Sequence, residues 1–130
     1  MNAVGKRRIL LVEPSSLSGG IIVATARQLS LSAVHLVSSV RSAQQKLHLE
    51  DFSGVIVSLE EDQEAVLLIE KLRNTQFSAV NPLVPIAVIT SSINASLALQ
   101  LKVLDVRRVL LKPFKVRDVI TTIQMLQVAA

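Results

Sequence analysis

The chain has no cysteine, no tryptophan and no tyrosine, and only three phenylalanines among its 130 residues. Without cysteine it has neither a disulfide framework nor thiolate chemistry, and nothing points to an oxidising compartment. With so few rings it lacks a platform on which bases could stack, and its core falls to Val, Leu, Ile and Ala. No apolar run approaches the roughly 20 residues that span a bilayer. Lys6, Arg7 and Arg8 precede an apolar run as in a secretory leader, but Ile9–Val12 is too short for one and Glu13 interrupts it. A cytoplasmic protein with no membrane segment is expected. Phosphate-binding glycine patterns are also missing: Gly19-Gly20 belongs to no G-x-x-x-x-G-K or G-x-G-x-x-G run, so the pair reads as a close-packing device. His35 and His48 have no Cys, Asp or second His at ligand spacing, so no metal site and no cofactor are expected. No nucleophile has a base beside it, which argues against an enzyme.

A length of 130 residues suits one compact domain, with its core over about 7–127. Half the residues are hydrophobic, enough for a sizeable core. The formal charge is +4, from 14 basic and 10 acidic residues. This balance suits a solvated basic surface or an acidic partner. No long Lys/Arg run supports a nucleic-acid module.

Short β-branched runs alternate with helix-like stretches. Arg8–Glu13, Ala33–Val37, Gly54–Ser58, Ile86–Thr90 and Arg107–Leu111 read as strands. Several are apolar without alternation, the mark of strands covered on both faces. Ser15, Ser16 and Ser18 offer N-caps for a helix through about Leu29, and Ser39 for one over Val40–Leu49, with Ala43, Leu47 and Val40 on its inner face. Glu61–Arg73 is a strong helix with Val66, Ile69 and Leu72 inward and acidic residues in its first turn. Asn81–Pro85 is a loop, Ser92 or Asn94 leads a helix through about Val103, and Val116–Gln127 is the last helix. Five βα units with right-handed crossovers predict an α/β fold: a flavodoxin-like, doubly wound, five-stranded parallel sheet of order 2-1-3-4-5. Function in such a sheet gathers at the carboxyl ends of the strands. Those ends are Glu13-Pro14, Ser58-Leu59, Thr90-Ser91 and Lys112-Pro113.

At these four places the sequence resembles the response-regulator receiver family, and the resemblance covers almost the whole chain. Lys112-Pro113-Phe114 after a fifth β-run, Thr90-Ser91 after a fourth and Glu13 after a first match the family's motif. The resemblance implies the chemotaxis-receiver fold, a cis Lys112–Pro113 bond and a role in two-component, phosphorelay-type signalling. The sequence departs from the pattern at three points. Pro14 replaces one of the acidic pair, Ser58 takes the phosphoacceptor position, and Val109 takes the aromatic switch position.

These departures remove the usual chemistry. A carboxylate is already an anionic nucleophile at neutral pH, whereas the Ser58 hydroxyl has no adjacent base. Mg²⁺ prefers several hard oxygen ligands, and Glu13 is the one carboxylate left at the motif positions. Glu60 or Glu61 is the nearest acidic residue that could complete a metal site or accept a phosphoryl group in place of Ser58. The expectation is therefore a pseudo-receiver, in which Glu13, Pro14, Ser58, Thr90 and Lys112 form a degenerate phosphoacceptor pocket. Lys112 would pair with Glu13. The family's usual partner face, made by the fourth helix, fifth strand and fifth helix, corresponds to Lys102, Asp105, Arg107, Arg108, Lys115 and Arg117. Its charge suits an acidic protein such as a histidine kinase, an output domain or another signalling protein, or a second copy in a homodimer. The alternative reading is a cyclic dinucleotide held by Arg107, Arg108 and Arg117.

Overall fold

The computed structural model describes residues 7–59 and 63–128. The chain runs β1 (Arg8–Val12), α1 (Ser16–Gln28), β2 (Ala33–Val37), α2 (Val40–Leu49), β3 (Gly54–Ser58), α3 (Gln63–Arg73), β4 (Ile86–Thr90), α4 (Ala95–Val103), β5 (Arg108–Leu111) and α5 (Val116–Val128). The strands form one sheet of order β2-β1-β3-β4-β5, and every neighbouring pair is parallel. This is the doubly wound topology that the alternation of runs predicts. Glu13 lies just past β1 and Arg107 just before β5, both outside the strands to which the apolar runs assign them. Their backbones still pair: Glu13 N–H donates to Val37 C=O and Arg107 N–H to Ile86 C=O. The expected first residues of the third helix, Glu61 and Asp62, fall outside the described residues.

Side chains alternate across each strand and feed two cores. On one face Leu10, Val12, Val55, Val57, Ile86 and Val88 pack with α2, α3 and Leu101 of α4. On the other, Ile9, Leu11, Ile56, Ala87, Ile89 and Leu110 meet Ile22 and Ala26 of α1 and Val119, Ile123 and Leu126 of α5. Both cores are aliphatic, as the scarcity of aromatics requires; Phe52 and Phe77 are the rings buried in them.

Local chemistry sets the helix starts. Ser15, Ser39 and Asn94 are extended N-cap residues whose side chains accept from the N–H three residues on, at 3.2, 3.1 and 2.8 Å. Asn94, not Ser92, starts α4. The two glycines of α1 differ. A Cβ on Gly19 would sit 2.9 Å from both terminal carbons of Leu36 on β2, whereas one on Gly20 would meet nothing within 4 Å. Only Gly19 is a close-packing device. At the opposite end of the sheet, Arg73 of α3 donates to the carbonyls of Leu104, Pro82, Val84 and Asp105 at 2.7–3.2 Å. It ties the loop before β4 to the turn before β5.

Candidate functional site

The strand ends bring the motif residues onto one rim. Glu13 follows β1, Ser58 ends β3, Thr90 ends β4 and Lys112 follows β5. In the sheet order, β3 and β4 lie between the strands that carry Glu13 and Lys112. At about 4.8 Å per strand, that gap is about 14 Å. Lys112 and Glu13 nevertheless meet, with Nζ 3.2 Å from Oε1. The expected ion pair is therefore present, and it crosses the ends of the two strands that carry Ser58 and Thr90. The Glu13 side chain is fully buried and that of Lys112 is 19% exposed. The second carboxylate oxygen, Oε2, accepts the Ser15 N–H at 2.9 Å. The contact at Oε1 is ionic and lacks hydrogen-bond alignment.

Thr90 is turned to its own loop: its hydroxyl donates to Ser92 C=O at 2.9 Å. Its backbone C=O accepts from Lys112 N–H at 2.9 Å, which locks the ends of β4 and β5 together. The Lys112–Pro113 peptide bond is cis, as the resemblance implies. Ser58 is 6% exposed, and its Oγ is buried with no hydrogen-bond partner among the described residues. Val109 is half-buried against the α2–α4 core and has neither a ring nor a hydroxyl to swing.

Receivers hold Mg²⁺ at this rim, and the described residues do not fit one. Glu13 supplies the carboxylate, but one oxygen faces an ammonium group and the other a backbone N–H. Pro14 has no donor atom, and Ser58 is neutral. No group of three or more His, Cys, Asp or Glu among the described residues could hold a metal ion. Glu60 and Glu61 fall outside the described residues. Each histidine has a structural partner. His35 meets Phe52 edge-on at 6.0 Å, and His48 lies 4.8 Å from Phe77. Burial, with Arg8 and Lys46 nearby, holds the His35 imidazole below its ordinary pKa, and Glu50 opposes this.

The six expected partner-face residues do not form one patch. Arg107 lines a cleft with Asp51, Ser53 and Asn81, on the side of the sheet where the strands begin. Arg108 is turned to α5: its Nε donates to Thr122 Oγ1 at 2.9 Å, and its Nη2 lies 3.9 Å from Asp118. Lys102, Asp105, Lys115 and Arg117 are exposed. The same elements carry a feature that the charge pattern does not reveal. Leu99 and Val103 of α4, Leu111 of β5 and Val116 of α5 are 64%, 77%, 48% and 54% exposed. The signal is in the sequence: Leu97, Leu99, Leu101 and Val103 recur every second residue, and on a helix that spacing sends them to both faces. Among the described residues, no helix is long and apolar enough to cross a membrane.

No protein-family model and no curated protein sequence matches this chain. Solved structures do. An orphan response regulator of H. pylori superposes with a TM-score of 0.78 at 16% identity, covering 95% of this chain and 98% of that one. A response regulator from Thermotoga maritima gives 0.78 at 17% identity, over 93% and 97% of the two chains. The chemotaxis response regulator CheY4 of Vibrio cholerae gives 0.79 at 17%, over 92% and 98%. At such identities the likeness shows the fold: this chain has the flavodoxin-like fold of response-regulator receiver domains.

Proposed function

We propose that the chain is a receiver-type signalling module of the cytoplasm that acts by binding a protein partner and not by aspartyl phosphorylation. The observation that carries this reading is the Glu13–Lys112 pair, 3.2 Å apart over the strand ends. In a phosphorylated receiver the lysine answers a phosphoryl group on the acceptor carboxylate. Here a buried carboxylate of the chain itself already holds it, and the acceptor position carries a neutral hydroxyl. Both oxygens of Glu13 are engaged, which supports a rim that needs neither metal nor phosphate.

The α4–β5–α5 face supports the binding half of the proposal. Leu99, Val103 and Leu111 are exposed on its elements, and so are the cations Lys102, Lys115 and Arg117. Exposed apolar side chains on elements that also carry exposed cations suit a protein interface. The cations favour an acidic partner, such as the docking surface of a histidine kinase, an output domain or another signalling protein; a second copy of this basic chain fits less well. The cyclic-dinucleotide alternative draws no support from the geometry, because Arg107 lies at the other end of the sheet and Arg108 is bonded within the fold.

The test is intact mass after incubation with acetyl phosphate and Mg²⁺. No phosphoryl adduct is expected on the native chain or on Ser58→Asp, because Pro14 withholds a metal ligand. Ser58→Asp with Pro14→Asp should gain one. An acid-labile adduct on the native chain would refute the proposal and place the acceptor on another carboxylate, with Glu60 or Glu61 the first to check.

A further inference from the structure

Strand β2 lies at one edge of the sheet, and among the described residues its one strand partner is β1. We propose that this edge binds a second copy of the chain, β2 against β2 in antiparallel register about a two-fold axis at His35. The inference is independent of the phosphorylation reading. It also leaves the α4–β5–α5 face free, since β5 is the opposite edge of the sheet.

The backbone selects the register. Val37 C=O accepts from Glu13 N–H, and Ala33, His35 and Val37 are paired with Arg8, Leu10 and Val12. Alternation along the strand then turns the N–H and C=O groups of Val34 and Leu36 away from β1, with no partner among the described residues. An antiparallel copy centred on His35 sets each Val34 opposite Leu36 of the other copy. Both residues carry outward groups, so each such pair exchanges two hydrogen bonds. Centring on Val34 would put Leu36 opposite Ser32, whose N–H already donates to Gln127 Oε1 at 2.9 Å. Centring on Leu36 would put Val34 opposite Ser38, beyond the end of β2.

Side chains fit the same register. Leu36 is 40% exposed and touches α1 at Gly19. Val34 points to the same side of the sheet, and beside it a cleft of about 220 Å³ opens between α1 and β2, lined by Val23, Ala26, Leu31 and Ala33. Each Leu36 is thus brought to Val34 of the other copy, where that cleft lies. One projection and one hollow meet twice, as a two-fold contact requires.

Charge agrees. The chain carries +4, so a copy docks with least repulsion where the contact is uncharged. Ala33–Val37 has no Lys, Arg, Asp or Glu and no proline, the residues with which edge strands commonly block such pairing. Arg27 also lines the cleft, with Ser32 and Ala33 at the start of β2, and the two-fold sends the two guanidinium groups to opposite ends of the contact.

The test is sedimentation velocity of the full chain at about pH 7.5, where His35 is neutral, with amide hydrogen exchange on the same samples. A closed dimer with a Kd between about 10 and 100 µM is expected, as suits a small interface. Exchange at the Val34 and Leu36 amides should slow as the chain is concentrated from about 1 µM to about 500 µM. Leu36→Lys should raise Kd about tenfold or more, and Ala33→Lys, at an exposed position of the same strand, should act in the same direction. Circular dichroism would confirm that each variant is folded, and the exchange readout needs no variant. A monomer throughout, assembly beyond a dimer, exchange at Val34 and Leu36 independent of concentration, or a dimer equally tight in both variants would overturn the proposal. So would a dimer that Leu99→Lys on α4 abolishes and the β2 variants leave intact.

Discussion

Lys112 and Glu13 stand 99 positions apart in the chain and 3.2 Å apart in the fold. Burial makes their pairing consequential. A carboxylate without solvent is strongly disfavoured unless a cation answers it, so removing one partner of a buried pair is far more damaging than removing an exposed one. Lys112→Ala should therefore destabilise the domain by about 3–5 kcal/mol. Lys112→Ala combined with Glu13→Gln should recover much of that loss. Urea unfolding of the two variants measures both, and a loss below about 1 kcal/mol in the single variant would mean the pair is only a surface contact. The pair was legible in the sequence because a parallel sheet collects its strand ends on one rim, which brings together residues that follow distant strands. That the Ser58 hydroxyl has no partner among the described residues was not legible, because hydrogen-bond satisfaction depends on three-dimensional neighbours that no spacing rule encodes. The four-carbonyl hub at Arg73 escaped for the same reason: its partners are backbone atoms, and those look alike in every sequence.

Helix α1 carries two adjacent glycines with opposite roles. Gly20 faces open space, so Gly20→Ala should stabilise the domain by about 0.5–1 kcal/mol through helix propensity alone. Gly19→Ala should gain less, because its methyl must displace Leu36. Equal gains in chemical denaturation would show that α1 does not press on β2 there. Strand β2 carries a pH dependence. His35 faces Arg8, Lys46, Glu50 and Phe52, and its Nε2 accepts from Arg8 Nε at 3.4 Å. Its folded pKa lies below the unfolded value of 6.5, so below that pH the unfolded chain binds more protons. Stability is complete above 6.5 and falls as pH drops through that value toward the folded pKa. Tm should therefore fall between about pH 7.5 and about 5.5, and fall less in His35→Gln. An identical fall in both proteins would assign the effect to other groups. At this scale the sequence was most legible, since strands and helices announce themselves by apolar runs and N-caps. It was least so at α4, where inward and outward leucines share one apolar pattern and only packing separates them.

The whole molecule combines an ordinary receiver scaffold with an altered rim. Topology followed from alternating runs and crossover handedness, both local or chiral constraints that operate on any chain of this pattern. The proposed partner face was only partly legible, because its charges stand in the sequence while the exposure of Leu99, Val103 and Leu111 depends on packing. Phosphorylation biases ordinary receivers between two conformations by adding a group that recruits the threonine and lysine of the rim. Here Lys112 is bound to Glu13, Thr90 is bonded to its own loop and Val109 is packed, which supports the proposal that a phosphodonor does not switch this domain. A regulator would have to bind two states of the domain with different affinity. Insensitivity of this rim to phosphodonors can be read from the amide NMR spectrum of the domain with and without acetyl phosphate and Mg²⁺. Superimposable spectra are expected. Shifts spreading from the end of β3 through Thr90 to α4 and β5 would contradict it.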